Sequence, residues 1–371
     1  MPIKPRKPAH GARQSMPELR AISGVGSKGP ACFLLQIGDR NLLLDLGRGP
    51  DEDRAPDLRD LPPIDAILFS HGHADHTGGL DLWPDLGAPP LFASRPTIAL
   101  ARHPGLQQAR PLDGLGQILG VALLTGPAGH APGAVWMRIG GKGGLLYSGD
   151  ACAESPMFCA APYPPAAAMV IDASYGVADQ PLSVQIEQIV SQIDGPVLLP
   201  CPAGGRGLEI AATLLQRGLP VSICAEHRRV VRILRDHADW MTPQGRSALS
   251  LLDQAADLHA DSPIAGSMIA AGPNAERGVA HALSGRIRDA GGARIIFTGH
   301  VAAGSPAQDL IDQGHAVFSR WNVHPTLSQA SEMVASAAPQ VMLAAFCAAS
   351  VADDLRVRTG WPIARGERLV W

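Results

Sequence analysis

The chain has 371 residues, with 31 lysines and arginines against 34 aspartates and glutamates and a formal net charge of −3. This balance excludes a highly basic nucleic-acid binder of the histone type, and the 46% of apolar residues excludes a disordered chain. At about 100–200 residues per domain, the length allows two domains or one large domain with an insertion. The six cysteines form no CxxC pair, which favours a reducing compartment and excludes a thiolate zinc site.

The N-terminal residues and the most apolar segment both argue against membrane insertion. Residues 1–17 are basic and proline-rich and lack the apolar stretch of a signal peptide, so we predict a flexible tail. The most apolar long window, residues 334–352, contains Pro339 and Gln340, which favours a buried core segment over a membrane span. The sequence therefore predicts a cytoplasmic protein without membrane contact, and a homo-oligomer is compatible with it.

Short apolar runs separated by glycine and proline turns fill residues 19–150 and predict a sheet-rich layer. These predicted strands cover residues 32–37, 41–46, 66–70, 90–94, 134–139 and 144–148. Near residue 176 the rhythm changes to alternating strands and helices, which predicts βαβ units with a parallel sheet. The later predicted elements are a strand over 196–200, a helix over 207–217, a strand over 220–224, a helix over 226–237, a helix over 326–337 and a strand over 341–346.

The densest group of metal-binding residue types is the hexapeptide HGHADH, residues 71–76, which comes directly after an apolar run. His71 and His73 lie two residues apart, so on an extended segment they project to the same side. Asp75 and His76 come where the chain turns, so they can face a neighbouring point. Three imidazoles and a carboxylate within six residues form a ligand set for zinc-like ions.

Further donors stand where later or earlier apolar runs end, at the junction of a strand with a loop. They are Asp45 in LLLDLG, His130 in AGHAPG and Asp150 in LLYSGD. Such junctions are where functional sites usually lie. Taken singly, each residue is equally typical of a turn or a cap. Together with the hexapeptide, they supply enough ligands for two ions.

This set resembles the metallo-β-lactamase superfamily, whose αββα sandwich carries an HxHxDH motif with a downstream histidine and a downstream aspartate. The resemblance implies an α/β fold class with two zinc ions, one of them held by three imidazoles. Asp75 and His76 would hold the second ion, and Asp150 would bridge the two. Asp45 would support the site from behind the ligands. The implied metal ligands are His71, His73, Asp75, His76, His130 and Asp150.

The segments after Asp150 resemble the β-CASP branch of that superfamily. IDASYG looks like its acidic motif, with Asp172 as the carboxylate, and PVLLPCPAGGRGLEI is similar to its strand, glycine-arginine turn and helix. A phosphate cradled by that turn would make Arg206 a substrate contact. ARIIFTGHVAAGSPAQDLI resembles the segment that closes the inserted domain, with His300 as a substrate contact or a substitute metal ligand. NVHPTLSQASEMV matches the motif in which a histidine precedes a helix, here His324.

The architecture implied by the resemblance is a metallo-β-lactamase sandwich interrupted by a βαβ-type β-CASP cap domain, with the substrate cleft between them. The implied divisions are a tail over 1–17, the N-terminal part of the metallo-β-lactamase domain over 18–176, the cap over 177–316 and the C-terminal part of the metallo-β-lactamase domain over 317–371.

One position departs from the RNA-acting members of the branch. Those members carry a last histidine after the final strand, and this chain has Ala345 at the expected place. The second metal site therefore has one protein ligand fewer, so we expect it to be completed by water or another histidine, to be weakly occupied, or to be empty. Zinc is the expected metal, and manganese is the alternative.

The resemblance implies a hydrolase in which a hydroxide bridging two ions attacks phosphorus. Asp75 would orient that nucleophile, and His324 paired with Asp172 would protonate the leaving oxygen. The leading hypothesis is a zinc-dependent nuclease acting on RNA or single-stranded DNA. Since the chain has no basic excess and only 4% aromatic residues, a metallo-hydrolase of a small ester, thioester, lactone or phosphoester is the alternative. A metal-depleted nucleic-acid or protein binder is the third possibility.

Overall fold

A computed structural model describes residues 16–51 and 54–371 of the chain. The predicted tail over residues 1–17 falls almost wholly outside these ranges. The strands of the described residues are β1 (Glu18–Ser23), β2 (Cys32–Ile37), β3 (Arg40–Leu44), β4 (Ala66–Leu68), β5 (Leu91–Ala93), β6 (Arg110–Pro111), β7 (Gln117–Ile118), β8 (Val121–Pro127), β9 (Val135–Ile139), β10 (Leu145–Tyr147), β11 (Ala168–Asp172), β12 (Val197–Cys201), β13 (Val221–Cys224), β14 (Ala256–Leu258), β15 (Ser267–Ala271), β16 (Arg294–Phe297), β17 (Val317–Phe318), β18 (Val341–Ala345) and β19 (Arg368–Val370).

The α-helices of the described residues alternate with these strands along the chain. They are α1 (Ala74–Thr77), α2 (Arg95–Leu100), α3 (Pro104–Gln107), α4 (Leu182–Val190), α5 (Arg206–Gln216), α6 (Ala225–Arg235), α7 (Pro243–Leu252), α8 (Gly278–Ala290), α9 (Pro306–Asp312), α10 (Leu327–Ala337) and α11 (Ala349–Thr359). In the described part of the chain, no helix combines the length and the apolar character that crossing a bilayer requires.

Two sheets pack face to face and form a sandwich. The first has the order β19-β1-β2-β3-β4-β5-β6, and the second has the order β18-β11-β10-β9-β8-β7. Phe33 and Leu44 of the first sheet and Met137, Tyr147 and Leu343 of the second lie in one buried cluster between them. The core is apolar because alternate residues of each strand point to the same face.

Helices cover the outer faces of both sheets. Leu106 of α3 belongs to the buried cluster behind the first sheet, with Ile67 and Phe69. Met333 and Val334 of α10 belong to the cluster behind the second sheet. α10 begins with a capping box, since the Thr326 side chain accepts from the backbone of Gln329 and the Gln329 side chain accepts in return. The layers are therefore helix, sheet, sheet and helix, and the predicted α/β sandwich is confirmed.

The third sheet lies between the two halves of the sandwich in sequence and has the order β14-β13-β15-β12-β16-β17. All of its strand pairs are parallel, as the βαβ alternation predicts. Helices cover both of its faces, α5, α6 and α7 on one and α8 and α9 on the other. Its central strand β12 is buried at every residue, which is typical of a parallel sheet covered on two sides.

Candidate metal centre

The sandwich brings the predicted donor residues to one edge. Asp45 comes directly after β3, Asp150 comes shortly after β10, and Asp172 ends β11. His71 lies beyond the end of β4, and His130 lies in the loop between β8 and β9. These strands end side by side at the same edge of the two sheets, so donors that are far apart in sequence meet there.

Three imidazoles form the first donor group, which consists of His71, His73 and His130. His71 Nε2 lies 3.1 Å from His73 Nδ1, and His130 Nε2 lies 3.0 Å from the same His73 nitrogen. His71 and His130 are buried, and His73 is partly buried. Three nitrogens converging on one point at this spacing can ligate one cation.

The outer ring nitrogens of this group are held by oxygen atoms of the protein. His73 Nε2 donates to the carbonyl oxygen of Gly204 at 2.8 Å, and His130 Nδ1 donates to the carbonyl oxygen of Val323 at 2.7 Å. His71 Nδ1 lies 3.1 Å from Ser70 Oγ. With the proton on the outer nitrogen, the inner nitrogen carries a lone pair, so the hydrogen bonds prepare the rings as ligands.

Electrostatics keep these three rings neutral. Burial lowers the pKa of all three below that of an ordinary histidine, most strongly for His71 and His130. Because burial disfavours a charged ring, the neutral imidazole is the stable form at pH 7. The neutral form is also the one that binds a metal ion.

The second donor group consists of His71, His76 and Asp150. His76 Nε2 lies 3.3 Å from Asp150 Oδ1, and Asp150 Oδ2 lies 3.4 Å from His130 Nε2. The carboxylate of Asp150 thus stands between the two groups, where the bridging role was predicted. Asp150 Oδ1 is buried and has no hydrogen-bond partner among the described residues. A buried carboxylate oxygen whose nearest partner, His76 Nε2, is too far or poorly aligned for a hydrogen bond is an acceptor that a cation would satisfy, so the residues fit a metal site.

Asp150 is ionised despite its burial. Burial raises the pKa of a carboxyl group, but His76, Lys28, His130 and His324 together hold the pKa of Asp150 well below its usual value. Burial would lower the pKa of His76, yet Asp150 and Asp45 raise it well above the ordinary value. Without an ion, His76 and Asp150 therefore form an ion pair, and a cation binding here would replace the His76 proton.

Asp45 lies behind His76 and is fully buried. Its Oδ2 accepts from His76 Nδ1 at 2.7 Å, which leaves Nε2 of that ring for the side of Asp150. The backbone N–H and the hydroxyl of Ser70 also donate to the Asp45 carboxylate, at 2.7 and 2.8 Å. Tyr147 O–H donates to it at 2.5 Å. Asp45 is where the sequence predicted a supporting residue; Ser70 and Tyr147 are additions from the structure.

His324 and Asp172 meet at the side of the site, as the sequence predicts. His324 Nδ1 donates to Asp172 Oδ2 at 2.8 Å, and Asp172 also accepts from the backbone N–H groups of Ala151 and Ser174. The His324 ring lies 4.9 Å from the His130 ring, measured between centroids. A third donor group is formed by His130, Asp150 and His324.

Asp75 is the predicted ligand that the structure leaves apart. It lies in the first turn of α1, one residue before His76, and belongs to none of the three donor groups among the described residues. The charge of the Asp75 carboxylate partly offsets the lowering of the His73 pKa that burial causes. Its role as ligand and as orienting residue stays a prediction.

The two predicted substrate contacts lie outside the donor groups. Arg206 begins α5, and a Cβ at Gly299 would collide with its Nη2, so the guanidinium packs on that glycine. His300 Nε2 lies 2.9 Å from Asp51 Oδ1 and its side chain is 37% exposed. His300 is therefore not among the donors that the described residues bring together, and both substrate roles stay predictions.

Where the RNA-acting members of the β-CASP branch carry their last histidine, this chain has buried apolar residues. Ala345 is fully buried and pairs in register with Asp172. The next residue, Phe346, packs its ring edge-on against His76 with 5.1 Å between centroids. Lys28 is a further residue near the site that the sequence did not indicate. Its Nζ lies 3.4 Å from His324 Nε2.

Comparisons with known proteins agree with this geometry. Residues 26–175 match the family model of the metallo-β-lactamase superfamily. Ribonuclease TTHA0252 of Thermus thermophilus is 31% identical over 230 residues, which cover 51% of this chain and 52% of that protein. Transcription termination factor FttA of Cenarchaeum symbiosum is 26% identical over 250 residues, covering 54% of this chain and 39% of that protein. The chain thus spans about half or less of the length of these relatives.

A solved structure extends the likeness of the fold to nearly the whole chain. A protein of unknown function from Enterococcus faecalis V583 superposes with a TM-score of 0.57 over 96% of this chain and 100% of that one, at 13% identity. Integrator complex subunit 11 of Danio rerio is a further relative, 29% identical over 99 residues, which cover 23% of this chain and 17% of that protein. Over residues 26–175 the chain is therefore similar to the metallo-β-lactamase superfamily, and the relatives that it matches are named as a ribonuclease, a transcription termination factor and an Integrator complex subunit.

Proposed function

We propose that this chain is a metal-dependent phosphodiesterase of the nuclease type, with RNA or single-stranded DNA as its substrate. The observation that carries the proposal is the convergence of the first and second donor groups on Asp150, whose buried Oδ1 forms no hydrogen bond among the described residues. The relatives named as a ribonuclease and as a transcription termination factor favour a nucleic acid over a small ester as the substrate.

Zinc is the metal we propose, with manganese as the alternative. Imidazole nitrogens with one carboxylate are donors that zinc prefers, and manganese prefers oxygen. We propose the strongest binding at the first donor group and weaker binding at the second, where Phe346 packs on His76. Bound divalent ions would acidify a water molecule and neutralise charge on the phosphate oxygens.

Residues of the chain would hold the cations, orient the ligands and transfer a proton. The inner nitrogens of the first donor group and the Asp150 carboxylate would hold the cations, while Asp45 fixes the orientation of His76 through its Nδ1 proton. His324 is oriented by Asp172 through Nδ1 and presents Nε2, through which it would protonate the leaving oxygen. Asp172 would stabilise the positive ring during that transfer.

In this proposal the parallel third sheet and its helices are the cap domain. Residues 177–316 would form it and would close the substrate cleft over the metal centre. Contacts that support this are the hydrogen bond from His73 to Gly204 O and the 2.9 Å contact of His300 Nε2 with Asp51 Oδ1, which both join the third sheet's loops to the sandwich. A cytoplasmic location and a homo-oligomer remain predictions.

Metal analysis and a cleavage assay test the proposal together. The purified chain should contain at least one zinc ion and should cleave end-labelled single-stranded RNA or DNA when supplied with Zn²⁺ or Mn²⁺. His130→Ala should lose both properties, and His315→Ala, which removes an exposed histidine, should keep them. A folded, metal-loaded chain that cleaves neither polymer would contradict the nuclease proposal.

A further inference from the structure

Lys28 reaches the metal centre from the loop between β1 and β2. Its Nζ donates to Ser174 Oγ at 2.8 Å and lies 3.4 Å from His324 Nε2. Because His324 Nδ1 donates to Asp172, Nε2 of the neutral ring accepts from the ammonium group; a ring that protonates the leaving oxygen would carry a proton on Nε2 in place of this hydrogen bond. The side chain is partly buried and ends beside the residue proposed to act on the leaving oxygen.

The loop that carries Lys28 is fixed on both sides. Phe346 N–H donates to Gly24 O at 2.7 Å, and Gly26 forms a parallel bridge with Ala348. On the other side, Ala31 N–H donates to Asp75 O at 2.8 Å. The loop therefore spans from the end of β18, where the expected histidine is missing, to the helix that carries His76. This attachment holds Lys28 beside His324, a member of the third donor group.

The positive charge of Lys28 affects the metal centre and is not paired with a carboxylate of the described residues. It contributes to the low pKa of Asp150, and no carboxylate of the described residues lies within ion-pair distance of its Nζ. An ammonium group has three donor hydrogens. Two are used by Ser174 and His324, so one donor remains for another acceptor.

Lysine is a rare residue in this chain, since only four of the 31 basic residues are lysines. Lys4 and Lys7 precede the described residues, and Lys142 is exposed in a surface turn. In the described part of the chain, Lys28 is therefore the lysine that lies at the metal centre. A lysine offers a compact charge on a flexible stem, whereas the planar arginine group needs more room.

We propose that Lys28 is a catalytic residue that contacts a non-bridging oxygen of the scissile phosphate. This inference rests on the proposed phosphodiesterase function. Beside His324, the ammonium supplies a fixed positive charge to the phosphate as negative charge develops on its oxygens. Such a donor stabilises the transition state because it is already oriented before the reaction.

The test compares Lys28→Gln, Lys28→Arg and the control Lys142→Gln in the metal-loaded chain. Lys28→Gln should slow single-turnover cleavage of single-stranded RNA by about 10²-fold, the usual effect of removing one such donor. Lys28→Arg should recover part of that loss, and Lys142→Gln should match the unaltered chain. Melting temperature and metal content should be the same in all four proteins.

Binding of a cleavage-resistant phosphorothioate strand gives a readout that a structural role would not move. Removing one phosphate contact should reduce the salt dependence of binding, the slope of log K against log salt, by about 0.7. Lys28→Gln should show this reduction, and Lys28→Arg should not. The control Lys142→Gln should keep the full slope.

Three results would overturn the inference, and they are distinguishable. Normal cleavage and a normal salt slope in Lys28→Gln would remove Lys28 from the site while leaving the proposed function intact. An additional bound metal ion in Lys28→Gln would show that the lysine acts on cation binding and not on phosphate. An unaltered chain that neither binds nor cleaves the strand would remove the proposed function and this inference with it.

Discussion

The first and second donor groups share His71 but are built differently. In the first group, three neutral imidazoles converge, and two of their outer nitrogens donate to backbone carbonyl groups. In the second group, His71 and His76 stand with the Asp150 carboxylate, His76 pairs with that carboxylate, and the Phe346 ring packs on His76. One group is preformed by neutral donors, and the other is held together by an ion pair when no metal is bound.

The difference indicates an order of metal binding. A cation entering the first group displaces no proton, because the imidazoles of that group are already neutral. The His76 ring lies between the carboxylates of Asp45 and Asp150, which both favour its protonated form. A cation entering the second group must displace the proton on His76 Nε2, the nitrogen on the side of Asp150. We therefore expect the first group to bind its ion more tightly. Substitutions that affect one group and spare the other test this contrast, beginning with the largest effect.

The largest effect is expected for His73→Ala, which removes the nitrogen that both other rings of the first group face. A bound metal contributes several kcal/mol to the transition state, so its loss should reduce cleavage by about 10³- to 10⁴-fold. Metal analysis after gel filtration should show the tight ion missing. His281→Ala serves as the control, because that residue lies in α8, outside the donor groups, and its ring hydrogen-bonds to the backbone carbonyl of Ala275. A variant that keeps its ion and its activity would contradict the assignment of the first group.

The next effect is expected for His324→Gln, which keeps a polar side chain beside Asp172. Loss of a proton donor should reduce cleavage by about 10²- to 10³-fold while the first ion stays bound. The reduction should be smaller for a p-nitrophenyl phosphodiester, because that leaving group needs no proton. Equal losses for the two substrates would mean that His324 acts as a metal ligand and not as an acid.

A smaller effect is expected for Asp45→Asn, which alters the second group alone. The amide is a weaker acceptor for the His76 proton, so the second ion should bind about 10- to 100-fold more weakly. Tyr147→Phe removes one of the four donors to Asp45 and should give a smaller change in the same direction. Titration with Zn²⁺ should show the first ion unaffected. The exposed Asp309→Asn is the control.

The hexapeptide could be predicted from sequence because its donors are local. His71, His73 and His76 are separated by two to five residues, so the end of one strand and one short helix bring them together. The ends of other apolar runs indicated Asp45, His130 and Asp150, and the family resemblance added His324; the structure brings these four residues to the same edge. Spacing could not place Asp75, since its orientation depends on where α1 begins.

The residues that the sequence did not indicate reach the site through long-range contacts. Tyr147 lies in an apolar run and is indistinguishable there from a core residue, yet its hydroxyl meets Asp45, 102 residues away. Lys28 meets His324 across 296 residues. The glycine turn before Arg206 was expected to present N–H groups to a phosphate; a carbonyl of that turn, Gly204 O, accepts from His73. The pairing of Tyr147 with Asp45 depends on the packing of the two sandwich sheets, and that of His73 with Gly204 on the packing of the third sheet against the sandwich.

The smallest effect is expected for Phe346→His, which adds a donor where the second group has an apolar wall. Phe346 has φ +61°, a backbone region that histidine adopts more readily than other bulky residues. An imidazole there would lie beside His76 and should tighten binding of the second ion by about tenfold. The control Phe346→Leu offers no donor and should leave that affinity unchanged.

The same substitution connects the second group to Lys28. If the lysine supplies positive charge to the phosphate because the second ion is weakly held, a firmer second ion should make Lys28 less important. The cleavage defect of Lys28→Gln should then be smaller in the Phe346→His background than in the unaltered chain, a coupling that a double-mutant cycle measures. Additive defects would show that the ammonium and the second ion act at separate oxygens of the substrate, so that neither replaces the other.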